Sequence, residues 1–360
     1  MVEQDQKEQS LKRKLLWVFI FILVAAASVW AVISRSEDFT LVKFAGYIAG
    51  SSPFYMIAAF VSVAAYVFFE GCALLHLLSC FGYKQSLRSG IVYSSADIYV
   101  SSITPSASGG QPAAAYFMYR SGVPVAVSTV ILFLNISVYA VSILSFTLFG
   151  LIVRPHIFMG FDNFYKLLML IGFIAQSALV AFFIIVMKFE RLVEWVCSLI
   201  ISVLSKIRII KNRKAVEDKV EKSIEQYRTC AAMLGRKKGI MPKLLLFNFL
   251  QRASIIAVPM FTYLATHDAS ISEAFDVWLT QAYVVLGANS IPIPGAVGVT
   301  DALMLNGFRN ITDNLTEFEL LGRGVSFYCC VLICGIIMLI SYICVKRRMN
   351  KPIPNTPEEI

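Results

Sequence analysis

Two stretches rich in glycine and proline, SSITPSASGGQP (Ser101 to Pro112) and NSIPIPGAVGVTD (Asn289 to Asp301), interrupt apolar sequence at corresponding places in the two halves of the chain. A helix that stops inside a hydrocarbon layer leaves backbone N–H and C=O groups unpaired at high cost, so it survives only where protein or a water-filled cavity surrounds it. Broken helices at matching positions in two halves are the parts from which transport sites near a bilayer midplane are built.

The rest of the sequence places those breaks in a membrane. The 360 residues are 58% hydrophobic and only 15% charged, with a mean hydropathy of +0.70, which excludes an ordinary soluble domain. Runs of about twenty apolar residues, enough to cross a bilayer, occupy Leu15 to Ile33, Pro53 to Cys80, Pro124 to Val153, Leu167 to Met187, Leu244 to Ala265 and Leu321 to Val345. The first follows Lys12, Arg13 and Lys14 as a signal peptide would, but no small-residue cleavage site comes after it, and it is expected to be a retained span. Cys72, Cys80, Cys197, Cys230, Cys329, Cys330, Cys334 and Cys344 have no zinc-type spacing beside a histidine. They are expected to pack as small apolar residues, with no disulfide, metal or cofactor.

The net charge of +9 is concentrated. Residues 188–243 carry 14 Lys and Arg against 6 Asp and Glu, and a basic loop of this kind should face the cytoplasm. If both broken segments crossed the membrane, a cytoplasmic N-terminus would put this loop outside. If each enters and leaves on one side, Lys12 to Lys14, Lys84, Arg88, Arg120, the central loop and the KRRMNK tail all lie inside, and Asp268, Glu273, Asp276, Asp313, Glu317 and Glu319 lie outside. The expected fold is therefore an all-α polytopic integral membrane protein of two inverted halves, with about six full spans and two re-entrant helical hairpins. The first half covers 1–187 with a hairpin at about 91–118. A basic amphipathic linker follows at 188–243, then a second half at 244–345 with a hairpin at about 274–307, and a cytoplasmic tail at 346–360. Laying Ser102 and Ile103 on Ser290 and Ile291 also superposes Gly110 on Gly298, with few other identities.

Two helical stripes run through the linker, Phe189 to Ile207 and Val216 to Leu234. They read either as solvated helices joining the halves or as an interfacial, lipid-sensing element. The linker's charge does not point to nucleic acid, because its helices also carry apolar stripes.

In the first broken segment Pro105 and Pro112 bracket the small residues, and a helix resuming at about Gly110 would turn free N–H groups and its positive dipole end towards an anion. Thr104, Ser106, Ser108, Gly109, Gly110 and Gln111 are the candidate ligand-binding residues here; kinked packing helices are the alternative. In the second segment the candidates are Pro294, Gly295, Gly298, Thr300 and Asp301. A carboxylate within an apolar hairpin must face protein or water, and Asp301 is suited to bind a cationic head group, to relay a proton or to cap the resuming helix. Glu70 and Asp97 are further candidates for an ion or proton relay. Arg252, eight residues into a span, should pair with a carboxylate, with Glu70 the first choice, or bind a lipid phosphate. His76, among leucines, reads as a satisfied core residue.

The segments ITPSASGGQPAAAYFMYRSGVP and SIPIPGAVGVTDA resemble the two signature regions of the flippase-like transmembrane family, whose best-known member forms the N-terminal membrane domain of lysylphosphatidylglycerol synthase, also called multiple peptide resistance factor. The resemblance implies a phospholipid or lipid-linked substrate moved between leaflets, an aminoacylated phosphatidylglycerol-like lipid among the choices, with the paired hairpins forming a central cavity. Many relatives carry an acidic residue where this chain has Gln111, and Glu where it has Asp301. Fifteen residues follow Val345, so the soluble aminoacyl-transferase domain is expected to be absent.

The leading functional expectation is a lipid transporter of a bacterial plasma membrane with both termini cytoplasmic. Its partners would be anionic membrane lipids and either a second copy of the chain or a separate lipid-modifying enzyme. No nucleotide-binding loop is present, so transport would be downhill or ion-coupled. The alternative is an accessory protein that presents lipid to a membrane enzyme. An intramembrane enzyme is disfavoured, because His76, His156 and His267 belong to no catalytic spacing. The topology is checked by single-cysteine labelling in a cysteine-less background: Arg120→Cys and Asp313→Cys should react from opposite sides of the membrane, and reaction from one side would overturn it.

Overall fold

The computed structural model describes residues 39–104, 107–188, 239–289 and 291–348, together with Ala26, Trp30 and residues 32–34. The helical stripes of the linker, the tail and most of the first expected span lie outside the described residues. Among those described every element is helical: α1 (Leu41–Ala49), α2 (Pro53–Cys80), α3 (Leu87–Ile103), α4 (Gly110–Arg120), α5 (Val125–Val153), α6 (Pro155–Gly160), α7 (Asn163–Lys188), α8 (Ile240–Thr266), α9 (Ile271–Ala288), a 3-10 turn at Pro294–Ala296, α10 (Val299–Phe308), α11 (Leu315–Arg323), a π turn at Gly324–Cys329 and α12 (Cys330–Arg348). Five stretches are long and apolar enough to cross a membrane, at Pro53–Cys80, Val125–Val153, Asn163–Ile185, Ile240–Thr266 and Leu315–Val345. They coincide with five of the six expected spans, although the last begins earlier than expected and takes in Glu317, Glu319 and Arg323.

Local sequence explains where the helices start. Pro53 occupies the first turn of α2, where its missing N–H costs nothing. Ser86 caps α3 by accepting from the Ser89 N–H, and Ser270 and Glu273 form a reciprocal capping box at the start of α9.

Helices α2 and α8 form the central pair and run antiparallel. The Ser52 N–H donates to the Ala265 carbonyl at 2.6 Å, Gln251 bonds Glu70 at 3.0 Å, and His76 Nε2 lies 3.2 Å from the Ile240 carbonyl oxygen. His76 is thus a satisfied packing residue, as expected. In α2 and α8, 44% of the most apolar window is buried, against 17% in α7 and in the last span, so α7 and α12 are peripheral. Their outward faces carry Leu167, Leu170, Ile174, Leu332, Ile336 and Leu339, suited to contact with lipid.

The two broken segments each join a long helix to a short one. Helices α4 and α10, at 11 and 10 residues, reach only about 15 Å and cannot span a hydrocarbon layer of ~30 Å. The open end of the α3–α4 hairpin, tied by a Gln85 to Ser121 hydrogen bond, packs with Leu77, Leu78, Ile240 and Leu244 at one end of the α2–α8 pair. The open end of the α9–α10 hairpin, with Phe308, packs on Phe318 of α11, which meets Tyr263 at the other end. The tips therefore approach each other in the middle: Gly295 lies against the Phe327 ring, and a Cβ there would sit 3.2 Å from the Ser102 carbonyl oxygen. The register that aligns Gly110 with Gly298 also aligns Ala107 with Gly295, and both turn through the left-handed region, with φ of 52° and 60°.

Polar contacts hold the open end of the second hairpin. Asp162, just before α7, accepts from Arg309 at 2.8 Å and from the Asn306 side chain. The bond from Arg309 holds the Asp162 carboxyl below the usual carboxylate range. A depressed carboxylate contributes its stability above the unfolded value and loses it as pH falls through the folded one, so this contact is in force at neutral pH. Close backbone approach is the other constraint. A Cβ on Gly71 of α2 would stand 2.9 Å from the Gly90 carbonyl carbon of α3. Gly71→Val should accordingly lower stability by about 1–3 kcal/mol, seen as a lower unfolding temperature in detergent; no shift would contradict this crossing.

Candidate functional site

Between the hairpin tips, the central helix pair, α5 and the start of the last span lies a cavity of about 600 Å³. Among the expected site residues, Gln111, Arg252, Gly295, Thr300, Glu70 and Asp97 line it. The structure adds Tyr66, Tyr139, Gln251 and Arg323, which sequence reasoning missed.

At both tips the resuming helix begins beside one of the chain's own carboxylates. Asp97 Oδ1 and Ser101 Oγ lie so close to Gly110 that any side chain there would overlap them. The Ser101 hydroxyl donates to Asp97 Oδ1 at 3.1 Å. Asp97 thus packs against the start of α4, which itself carries no side-chain cap. At the other tip the Gly298 N–H donates to Asp301 Oδ2 at 2.7 Å, so of the three roles open to Asp301 the cap is the one its geometry displays. Gly298 can adopt φ 84° there because it has no Cβ.

Other expected residues build the breaks instead of facing the cavity. Thr104 donates to the Val100 carbonyl at 2.7 Å and accepts from the Gly109 N–H at 3.0 Å. Gly109 is fitted closely beneath Thr104 and Val100. Ser108 is exposed, Pro294 starts the 3-10 turn, and Ser106 lies outside the described residues. Thr300 does both: it lines the cavity and donates to the Ala296 carbonyl at 2.9 Å.

Arg252 is 6% exposed and makes no ion pair with Glu70. The expected Arg252–Glu70 pairing is replaced by a stack: the guanidinium lies 3.8 Å from the Tyr139 ring centroid and 5.2 Å from that of Tyr66. Aromatic faces stabilise a desolvated guanidinium by about 2 kcal/mol, and Nη2 makes only a long contact, 3.5 Å, to the Tyr66 hydroxyl. Arg252 Nε has no hydrogen-bond partner among the described residues. Glu70 instead accepts from Gln251 at 3.0 Å, because Gln251 on α8 faces α2 directly.

Arg323 is the second buried cation, 6% exposed. Its Nε donates to Asp301 Oδ1 at 2.7 Å, its guanidinium stacks 4.4 Å from the Phe327 centroid, and its Nη2 lacks a partner among the described residues. Glu319, expected outside the membrane, is 1% exposed and lies one helical turn before Arg323. The first apolar residue of the span masked this, because an arginine two positions after Leu321 reads as a flanking charge until the preceding turn is known to be buried. A π turn follows Arg323 directly, and such turns often mark functional positions.

These features define a multi-pass, all-α membrane protein with a cavity between two broken helices that is lined by two buried arginines. The chain belongs to the family described as the lysylphosphatidylglycerol synthase TM region, which matches residues 15–334. A search among curated proteins gave no match. Family membership supports a lipid-related function in a membrane.

Breaking a buried ion pair costs about 3–5 kcal/mol when it strands a charge. Arg323→Ala strands Asp301 and Glu319 and should show a loss of this size in chemical unfolding. Asp301→Asn keeps an oxygen for the Gly298 N–H and leaves Glu319 to face Arg323, so its loss should be smaller. Equal losses would mean that the charge pair is not what holds the second hairpin.

Proposed function

We propose that the protein is a lipid transporter that moves a phospholipid or lipid-linked head group between membrane leaflets, with the α3–α4 and α9–α10 segments acting as re-entrant hairpins inverted with respect to each other. The observation that carries this reading is the presence of two buried guanidinium groups, Arg252 and Arg323, lining one cavity with N–H groups left unpaired. A phosphate satisfies such donors with charge-assisted hydrogen bonds. The cavity is of the size used for small ligands, about 300–1,000 Å³, and suits a head group whose acyl chains remain in the bilayer.

The hairpin geometry supports the same reading. Their open ends pack at opposite ends of the α2–α8 pair while their tips meet at Gly295 and Ser102. A ligand held at the tips is then separated from each side by one hairpin, and rocking of the halves exposes it alternately. Arg252 faces the ligand from α8 and Arg323 from the last span, so two helices of the second half grip the same group, while Glu70, Asp97 and Gln111 line the cavity from the first half. Asp97 and Asp301, at the helix starts, keep the tips ordered without a ligand. Glu70 and Asp97 also line the cavity and are candidates for an ion or proton relay. In this reading the protein is not an enzyme, its partners are anionic membrane lipids, and it resides in a bacterial plasma membrane with cytoplasmic termini.

The test is transport of head-group-labelled phosphatidylglycerol in vesicles containing the purified chain, followed by chemical quenching of label in the outer leaflet. Wild type should expose the inner-leaflet label, and Arg252→Ala should slow this at least about tenfold, the effect of ~1.4 kcal/mol. Full activity in Arg252→Ala would remove it from the site. Inactive wild-type protein that instead stimulates a co-purified lipid-modifying enzyme would favour the accessory role.

A further inference from the structure

The cluster behind the second hairpin contains more negative charge than positive. Asp301, Glu319 and Arg323 are 3%, 1% and 6% exposed. Arg323 Nε is committed to Asp301 Oδ1, and Asp301 Oδ2 to the Gly298 N–H. Glu319 stands beside both groups, yet neither of its oxygens has a hydrogen bond of acceptable geometry. Two carboxylates against one guanidinium leave an uncompensated charge in a region where an isolated ionised carboxylate is far too costly to persist. A single proton on Glu319 removes that charge. The protonated carboxyl becomes a donor, with Asp301 as the adjacent acceptor.

The groups around Glu319 offer no other cation. From α10 the facing titratable group is Asp301, and from the π turn Tyr328. Tyr263 and His267, at the end of α8, pack on Phe318 next to it. His267 is already engaged with Thr266 and Thr312. From α1 comes Tyr47, whose hydroxyl donates to Thr266. Arg323 is therefore the only positive group among the described residues that faces Glu319 from these elements.

We infer that Glu319 is the binding site of a coupling proton, and that its occupancy controls whether Arg323 can receive an anionic head group. This rests on the transporter reading above. Arg323 and Thr300 line the cavity. The cluster thus adjoins the cavity through Arg323, which lines it and is bonded to Asp301. With Glu319 ionised the cluster is net negative and repels a phosphate. With Glu319 protonated the Arg323–Asp301 pair is neutral overall, and Arg323 Nη2 is open to a ligand oxygen. Only a proton moves: it leaves a water in the cavity, binds a Glu319 oxygen, and returns to water after the head group departs. Head group and proton then bind with positive, reciprocal coupling, and a proton gradient would drive lipid movement in its own direction.

The test measures the affinity of the full-length purified protein for short-chain phosphatidylglycerol in detergent, from mildly acidic to alkaline pH. In wild type the affinity should fall with rising pH, by up to about tenfold per pH unit once the proton is lost. Glu319→Gln, which imitates the protonated form in shape and neutrality, should bind with little pH dependence over the same range. A flat wild-type profile, or the same slope in Glu319→Gln, would overturn the inference; the latter would transfer the proton to Glu70 or Asp97. Infrared difference spectra of the ligand-free proteins provide a separate readout. A carboxylic-acid carbonyl band present in wild type and absent from folded Glu319→Gln supports the proton site, and no such difference at any pH refutes it. If phosphatidylglycerol fails to bind wild type at all, the anionic-lipid reading falls, and the infrared comparison decides the proton assignment alone.

Discussion

Unpaired backbone at the two helix breaks is the constraint on which the rest of this structure depends. Each break exposes the N–H groups at the start of a short helix in a region with little water, where every orphan donor is expensive. The first tip meets this demand with the Thr104 hydroxyl, which accepts from the Gly109 N–H, and the second with the Asp301 carboxylate. Asp97 packs against Gly110 from the preceding helix, and Asp301 accepts from the Gly298 N–H from within the resuming one. Those carboxylates then require compensation themselves. Arg323 is held to Asp301 for that reason, Ser101 is hydrogen-bonded to Asp97, and the cavity lies where these groups converge.

The two arginines show different ways to keep a cation in such a place. Arg323 has a carboxylate partner and one aromatic face, whereas Arg252 has two aromatic faces and no ion pair. An aromatic stack stabilises the charge without using the guanidinium's N–H edge. Arg252 therefore keeps its Nε–H without a partner among the described residues, and Tyr139 is itself positioned by the Asn289 side chain at 2.7 Å. That last bond joins the second hairpin to α5, so the stack on Arg252 is sensitive to where the hairpin tip lies.

Much of the fold was legible because membrane burial imposes a coarse and nearly obligatory pattern. Five spans were readable as apolar runs, and the breaks at Ser101 to Pro112 and Asn289 to Asp301 were readable from glycine and proline, since few other residues end a helix in an apolar context. The capping role of Asp301 was also legible, three residues after Gly298. Pairings between distant segments were not. Glu70 and Gln251 lie 181 positions apart, and nothing in either local sequence selects Gln251 over Arg252 as the partner. Their contact depends on how α2 and α8 are rotated about their axes. Tyr66 and Tyr139 carry no signal of a cation site for the same reason.

The sequence by itself determined that this chain is a helical membrane protein with two paired interruptions, because hydropathy and helix-breaking residues act over a few turns of local chain. The tertiary structure alone decided what those interruptions do. It brought the tips together at Gly295 and Ser102, set Asp97 and Asp301 on the helix starts, buried Glu319 beside Arg323, and turned Arg252 onto two tyrosines. Charges in a dry interior are stabilised by whichever groups the packing brings within reach, and that reach is set by helix rotation and crossing, which no local stretch of residues encodes.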